Sequence, residues 1–418
     1  MLLSPETLAF IHAHRIPTVD VKILALQSGR ESSVDLPFAL EQLAGWKEAL
    51  TKLPSWAACE GILYPPRLSM EQCSSELTAL YKAVVFWEDS KGSCCTDFVD
   101  LTGGFGVDFS FLAKARQLLR ATYVERQEEL CQRARHNFDL LGLMEAEVVG
   151  RNAEEFLSDD SYWTEKSPES TFIFLDPARR DRLGGKVVSI ADCQPNVASL
   201  WPVLQKRAER IGVKLSPMLD LTAVYRELGE VIRAVHVVAV QGECKELLLL
   251  LGAGSEEAVI TAVNLSAKET SSSVVQSASK FSFTLSEERE ARCEWAERPL
   301  IYLYEPHAAL MKAGAFRLLA ERFGAKKLHP LSHLYTSTEF IADFPGRSFR
   351  VVDCVGFSKK ELKVALSSVQ KANLAVRNFP ASVAELRKRW NLKEGGDIYL
   401  FATTLADGAK ALIRCEKV

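Results

Sequence analysis

An α/β fold built on a largely parallel sheet is predicted by three features of this 418-residue sequence. The stretch from Asp97 to Ala113, D-F-V-D-L-T-G-G-F-G-V-D-F-S-F-L-A, reads as a strand end, a glycine turn and a helix packed on the sheet. Apolar runs of strand length alternate with helical patterns through the region that follows. Two last runs, R-A-V-H-V-V-A-V and C-K-E-L-L-L-L-L-G, lie close enough to pair antiparallel across Gln241-Gly242-Glu243.

The elements follow in order. Up to about residue 90, apolar residues recur at helical spacing over Pro5–His14, Pro37–Leu53 and Ser69–Trp87, with Pro65-Pro66 breaking the chain between the last two. Ser69 and Gln72 are spaced as a capping box for the third helix. Its Gln72, Ser74, Ser75 and Lys82 form a polar face such as an ordinary packing helix carries, and the family resemblance drawn below implies equally that they cover one end of a ligand. In the glycine turn, Gly103, Gly104 and Gly106 let the backbone approach a ligand, and the amides opening the helix are expected to be free to meet it. A-T-Y-V-E is the second strand, ending at Glu125, and Gly142 suits the stop of the helix after it. E-A-E-V-V-G, T-F-I-F-L and V-K-L-S-P-M-L-D-L supply the third, fourth and fifth strands. After Gly254, A-V-I-T-A-V-N-L extends the strand pattern, and A-K-E-T-S-S-S-V-V-Q-S-A-S-K reads as a linker or surface excursion. Short strands flank one helix over Ala308–Phe323, and residues 346–418 read strand, helix, strand, helix and two strands.

Composition narrows the class. Hydrophobic residues are 47% and charged residues 25%, as in a globular protein, and no apolar run approaches the roughly 18 residues that span a membrane. Pro5, Glu6, His12 and His14 interrupt the start where a signal peptide needs an apolar run, so a cytoplasmic location is expected. The ten cysteines form no C-x-x-C and no zinc spacing, which predicts reduced thiols and no metal. Net charge is −3, unevenly spread: Gly346–Val418 has fourteen Lys/Arg against seven Asp/Glu, a net of +7 that leaves −10 for the rest. Such asymmetry marks a basic module suited to an anionic partner.

Asp100 selects the ligand of the turn. The third glycine of G-x-G-x-x-G is missing, and a carboxylate at this strand end repels a pyrophosphate but attracts a cation, which favours S-adenosylmethionine (SAM), with its ammonium and sulfonium, over NAD. V-D-L-T-G-G-F-G resembles the D-x-x-x-G-x-G motif of class I SAM-dependent methyltransferases, whose order of elements the chain also shares. The resemblance implies a Rossmann-like sheet that binds SAM through Asp100, Thr102, Gly103, Gly104, Gly106 and Asp108. Glu125 is placed to accept ribose hydroxyls in either cofactor, or to face solvent beside Arg126. Asn152 stands where this class meets the adenine amino group, or else caps the helix A-E-E-F-L.

D-P-A-R-R, Asp176–Arg180, sits at the end of a central strand, stiffened by Pro177. It resembles the fourth motif of nucleic-acid methyltransferases, D-P-P-Y or D-P-P-R. That resemblance makes Asp176, Pro177 and Arg179 the catalytic candidates, with Asp176 also beside the cofactor. Ala178 departs from the second proline and Arg179 from the base-stacking aromatic. Arg179, Arg180 and Arg182 could hold phosphate, or Arg179 or Arg180 could pair with Asp181 or Asp192. Cys193 and Cys244 are candidates for a covalent route, or plain packing residues. In the basic module, Lys359, Lys360, Lys363, Arg387, Lys388 and Arg389 are nucleic-acid candidates, or a solvated helix face.

The whole layout resembles bacterial methyltransferases with a THUMP-like module behind the catalytic domain, which implies RNA as partner. Four parts are expected: a helical cap at 1–90, a SAM-binding domain at 91–280, a small ferredoxin-like α+β module at 281–345 and the THUMP-like module at 346–418. The reading is a SAM-dependent methyltransferase of tRNA or rRNA, transferring in line. The alternatives are methylation of a protein or small molecule, SAM binding without catalysis, and an NAD oxidoreductase. Oligomeric state is not legible.

Overall fold

The computed structural model describes residues 4–27, 33–88, 95–116, 118–179, 189–254, 256–266 and 278–418. The chain divides into two units, the first formed by residues 1–235, 246–256 and 265–278, the second by residues 236–245, 257–264 and 279–418.

The first unit opens with six helices: α1 (Pro5–His14), α2 (Val21–Gln27), α3 (Leu36–Lys52), α4 (Pro54–Ala58), α5 (Arg67–Gln72) and α6 (Glu76–Glu88). Ser4 caps α1, its side chain accepting from the Thr7 amide, with Pro5 at the first helical position. The helix expected over Ser69–Trp87 is two helices. Pro66 stands at the start of α5 and Ser69 lies inside it, so the Ser69–Gln72 capping box does not form. Cys73 turns out of the helix, and the Ser75 hydroxyl accepts from the Thr78 amide at 3.3 Å to start α6. Serine side chains that compete with the helix ladder thus split the segment, and the break leaves Ser74 free to reach Asp108.

The sheet of this unit uses β1 (Asp97–Asp100), β2 (Arg120–Val124), β3 (Ala146–Val149), β4 (Thr171–Leu175) and β5 (Arg210–Leu215), all mutually parallel. After β6 (Ile232–Val240), β7 (Glu243–Leu251) returns antiparallel to β5. The order is β3-β2-β1-β4-β5-β7, so the winding reverses between β1 and β4 and opens a crevice at their carboxyl ends. Crossover helices α7 (Val107–Lys114), α8 (Glu128–Leu140), α9 (Ala153–Leu157), α10 (Asp160–Trp163), α11 (Val197–Arg207) and α12 (Leu221–Leu228) complete the unit. Every residue of β1 and β4 is buried, as expected of central parallel strands. The cap packs on the glycine turn itself: Trp46, Trp56, Tyr64 and Met70 share one apolar cluster with Phe105 and Val107.

In the second unit, β8 (Val259–Leu265) pairs antiparallel with β9 (Ser279–Phe283), followed by α13 (Leu285–Glu290). The helix expected over Ala308–Phe323 is also two, α14 (Ala308–Ala313) and α15 (Arg317–Phe323), because Gly314 takes a left-handed φ of +86° and ends the first. Strands β10 (Tyr302–Pro306), β11 (Lys326–Lys327), β12 (Tyr335–Ser337), β13 (Gly346–Gly356), β14 (Asn373–Arg377), β15 (Ile398–Thr404) and β16 (Lys410–Lys417) form a seven-stranded sheet in the order β11-β12-β10-β13-β16-β15-β14. Helices α16 (Lys359–Ala365) and α17 (Val383–Trp390) bury Leu362 and Leu386 in a core with Leu374, Leu400 and Leu412. No helix among the described residues is long and apolar enough to cross a membrane.

Candidate functional site

The glycine turn is shaped by what lies under it. A Cβ on Gly103 would stand 2.1 Å from the buried Tyr123 ring, so only glycine lets the turn settle onto β2. Gly106 opens α7 at a φ of +86° with Phe138 beneath it. Three amides of the turn are already engaged. The Gly103 N–H donates to Val124 O at 2.9 Å, the Gly106 N–H to Gly103 O at 2.8 Å and the Gly104 N–H to Glu125 Oε2 at 3.0 Å. Glu125 Oε1 also accepts from the Gln127 amide at 2.8 Å. The turn is therefore bordered by a carboxylate at the end of β2, the place where ribose hydroxyls would be met.

Acids gather around it. Asp100 is buried at the end of β1, its Oδ1 accepting from the Thr102 amide at 2.9 Å. Burial pushes its carboxyl well above the ordinary range against the pull of that amide, and the charges of Asp108, Asp176 and Glu125 push the same way. The Thr102 hydroxyl ties the two central strands, since the Asp176 N–H donates to its oxygen at 2.5 Å. Pro177, next in the chain, is buried.

Below lies a buried charge cluster. Lys82 of α6 has no exposed surface, and its Nζ donates to Glu246 Oε2 at 2.7 Å and to Ser74 Oγ at 3.1 Å and pairs with Asp108 Oδ1 at 3.2 Å. Ser74 Oγ donates to Asp108 Oδ2 at 2.8 Å. Burial raises the Asp108 carboxyl, but Lys82, Lys214 and the Ser74 hydroxyl outweigh it and hold it below its ordinary value. Glu246, enclosed more deeply, is raised by burial in spite of Lys82. Lys214 of β5 donates from Nζ to Asp176 Oδ2 and stands 3.7 Å from Asp108 Oδ2. Burial opposes its charge, yet Asp176, Asp108 and Glu246 raise it above the ordinary lysine value, so it stays an ammonium.

Of the residues singled out from the sequence, Asp100, Thr102, Gly103, Gly104, Gly106, Asp108, Glu125 and Asp176 converge here through these contacts. Lys82 and Ser74 join them from the cap, bound to Asp108 rather than facing outward. Lys214 and Glu246 were missed. Asn152 caps α9, its Oδ1 accepting from the Glu155 amide at 2.8 Å, so that oxygen is already engaged. The Arg179 backbone pairs with Cys193 in a two-residue ladder, and Arg180 and Arg182 lie outside the described residues. Cys193 is buried and Cys244 half-buried. In the second unit, Lys359, Lys360, Lys363, Lys388 and Arg389 are exposed, while Arg387 is half-buried and lies 3.6 Å from Glu394.

The glycine cradle closed by acids fits a cationic nucleoside cofactor. Asp100 and Glu125 are the residues that would hold it, on the floor set by Gly103 and Gly104.

Comparison with known proteins adds relatives. A ferredoxin-like domain family matches residues 302–345 and a THUMP domain-like family matches residues 346–417. Among solved structures, a candidate methyltransferase from Porphyromonas gingivalis W83 is 34% identical, covers 100% of both chains and superposes with a TM-score of 0.83. A candidate class I SAM-dependent methyltransferase from Listeria monocytogenes is 11% identical over 65% of this chain and 97% of its own, with a TM-score of 0.39. An rRNA methylase from Streptococcus thermophilus is 17% identical over 43% of this chain and 95% of its own, with a TM-score of 0.29. No curated protein matches the chain.

Proposed function

Because the chain belongs to the class I SAM-dependent methyltransferases that carry a C-terminal THUMP-like domain, we propose that it uses SAM to methylate RNA, a tRNA or an rRNA, by direct in-line transfer. The observation that carries the cofactor is the acid-lined glycine turn, where Asp100 is buried and Glu125 occupies the Gly104 amide. The cofactor, when bound, supplies an activated methyl on a sulfonium. What remains for the protein is alignment and acceptance of the acceptor's proton.

On this reading Asp100, Thr102, Gly103, Gly104, Gly106, Asp108, Glu125 and Asn152 form the cofactor side. Asp176, with Pro177 and Arg179, forms the acceptor side at the carboxyl end of β4. RNA is favoured by the THUMP-like match and the +7 charge of Gly346–Val418. Phosphate contacts are assigned to Arg179, Arg180, Lys359, Lys360, Lys363, Arg387, Lys388 and Arg389. We keep the four-part division at 1–90, 91–280, 281–345 and 346–418 as the working one, and place the enzyme in the cytoplasm, where its thiols stay reduced.

Mass spectrometry of total RNA from a strain lacking the gene tests this: one methylated nucleoside should be missing and return with the gene. Unchanged RNA, with a methyl mark lost from a protein or metabolite, would move the acceptor class instead.

A further inference from the structure

Asp176 is the one carboxylate of the buried cluster that reaches solvent, with its side chain 36% exposed, while its partner Lys214 is only 12% exposed. Two restraints hold it. Its N–H donates to Thr102 Oγ1, and its Oδ2 accepts from Lys214 Nζ. Among the described residues Oδ1 takes no hydrogen bond. Lys214 is itself braced by Asp108, which Ser74 and Lys82 fix in turn. It stands on β5, the strand beside β4, so its aim is set by sheet register (Phe174 opposite Gly212, Leu175 opposite Val213) rather than by a loop.

We propose that Lys214 is the positioning residue of the acceptor side: it occupies one oxygen of Asp176 and leaves Oδ1 alone to meet the methyl acceptor. This rests on the reading above that Asp176 faces the acceptor. The consequence concerns acceptor class. A carboxylate whose one open oxygen can only accept a hydrogen bond selects a group that brings a hydrogen, an N–H or O–H, over a bare ring nitrogen. The groups facing Lys214 are Asp176 at the end of β4, Asp108 on α7 and Glu246 on β7, with Lys82 of α6 behind them. With three acids against one further cation, the ammonium is retained.

Lys214→Met keeps the length and apolar stem and removes the ammonium, and Lys214→Arg restores a cation. The first readout needs no substrate: hydrogen–deuterium exchange of the intact apo protein. Lys214→Met should speed exchange across residues 175–179 and leave residues 98–106 unchanged, and Lys214→Arg should restore protection. The second is tritiated methyl transfer into an extract from a strain lacking the gene, followed by nuclease or protease digestion. Lys214→Met should lower kcat roughly 100-fold, as expected of a misplaced group, with the KM for SAM within about threefold. Unchanged exchange, or a loss falling on KM with kcat intact, overturns the proposal. Label released by protease instead of nuclease overturns the RNA reading while the Lys214 comparison still decides this one. No transfer by wild type, with S-adenosylhomocysteine bound normally, overturns both.

Discussion

Replacing Asp100 by asparagine keeps the shape of the side chain and its bond to the Thr102 amide but removes the charge at the floor of the glycine turn. A hydrogen bond to a charged partner contributes about 1.5–3 kcal/mol, so SAM affinity should fall roughly 10- to 150-fold. The sign of the pH dependence sharpens the test. In the free protein burial holds the Asp100 carboxyl well above its ordinary 3.8. A raised acid contributes stability that is fully present below the ordinary value and lost as pH rises through the folded one. Without cofactor, Asp100→Asn should therefore gain stability relative to wild type as pH rises. For binding the order inverts, because a cation needs the ionised acid: wild-type affinity should climb with pH until the raised carboxyl of the free protein has ionised, by up to about tenfold per unit, and the asparagine variant should be flat. Calorimetry with SAM and denaturant titrations at several pH values read both. Equal affinity in the two proteins, a flat wild-type profile, or NAD bound in preference to SAM would refute the acid-floor argument.

Asp176→Ala should abolish methyl transfer while SAM affinity stays within a few-fold, and full activity in a radiolabel assay removes Asp176 from the mechanism. Lys82→Met should cost about 3–5 kcal/mol in a denaturant melt by leaving Glu246 buried and unpaired, whereas Lys82→Met with Glu246→Leu should recover much of that loss. Equal instability of the single and double variants would mean the pair is not the cause. Replacing Lys359, Lys360 and Lys363 together by Ala should weaken RNA binding and flatten its salt slope by up to about 0.7–0.9 for each phosphate no longer neutralised. Filter binding at several salt concentrations checks this, and an unchanged slope, there and with Arg387, Lys388 and Arg389 replaced, leaves that module without a phosphate role.

What the sequence made legible was local. The glycine turn, the acid at the end of β1 and D-P-A-R-R each declare themselves within a dozen residues, and strand alternation places them at one end of a sheet. Lys214 and Glu246 could not be read that way. Lys214 looks like an ordinary polar position in V-K-L, and Glu246 looks like the last polar residue before a run of leucines. Their meaning arises only when β5 and β7 are laid side by side and Lys82, 164 positions from Glu246, is brought against them. The two helix breaks failed for a different reason. Around Cys73–Ser75 and at Gly314, apolar periodicity continues across the break, so spacing alone joins what side-chain capping and a left-handed glycine separate.

The cluster also explains why an acid-rich crevice is tolerable in the free protein. Five carboxylates, Asp100, Asp108, Glu125, Asp176 and Glu246, converge with two ammonium groups, Lys82 and Lys214. The excess is managed by division. Asp108 is drawn to its charged form by both lysines, whereas burial pushes Asp100 and Glu246 toward their neutral forms. Glu246 sits at the bottom of the cluster against Lys82, so no incoming ligand relieves it. Asp100 lies at the turn, where a bound cation would. The field that disfavours ionising Asp100 in the free protein is thus the field that attracts a positive ligand, and occupancy and ionisation of Asp100 should rise together.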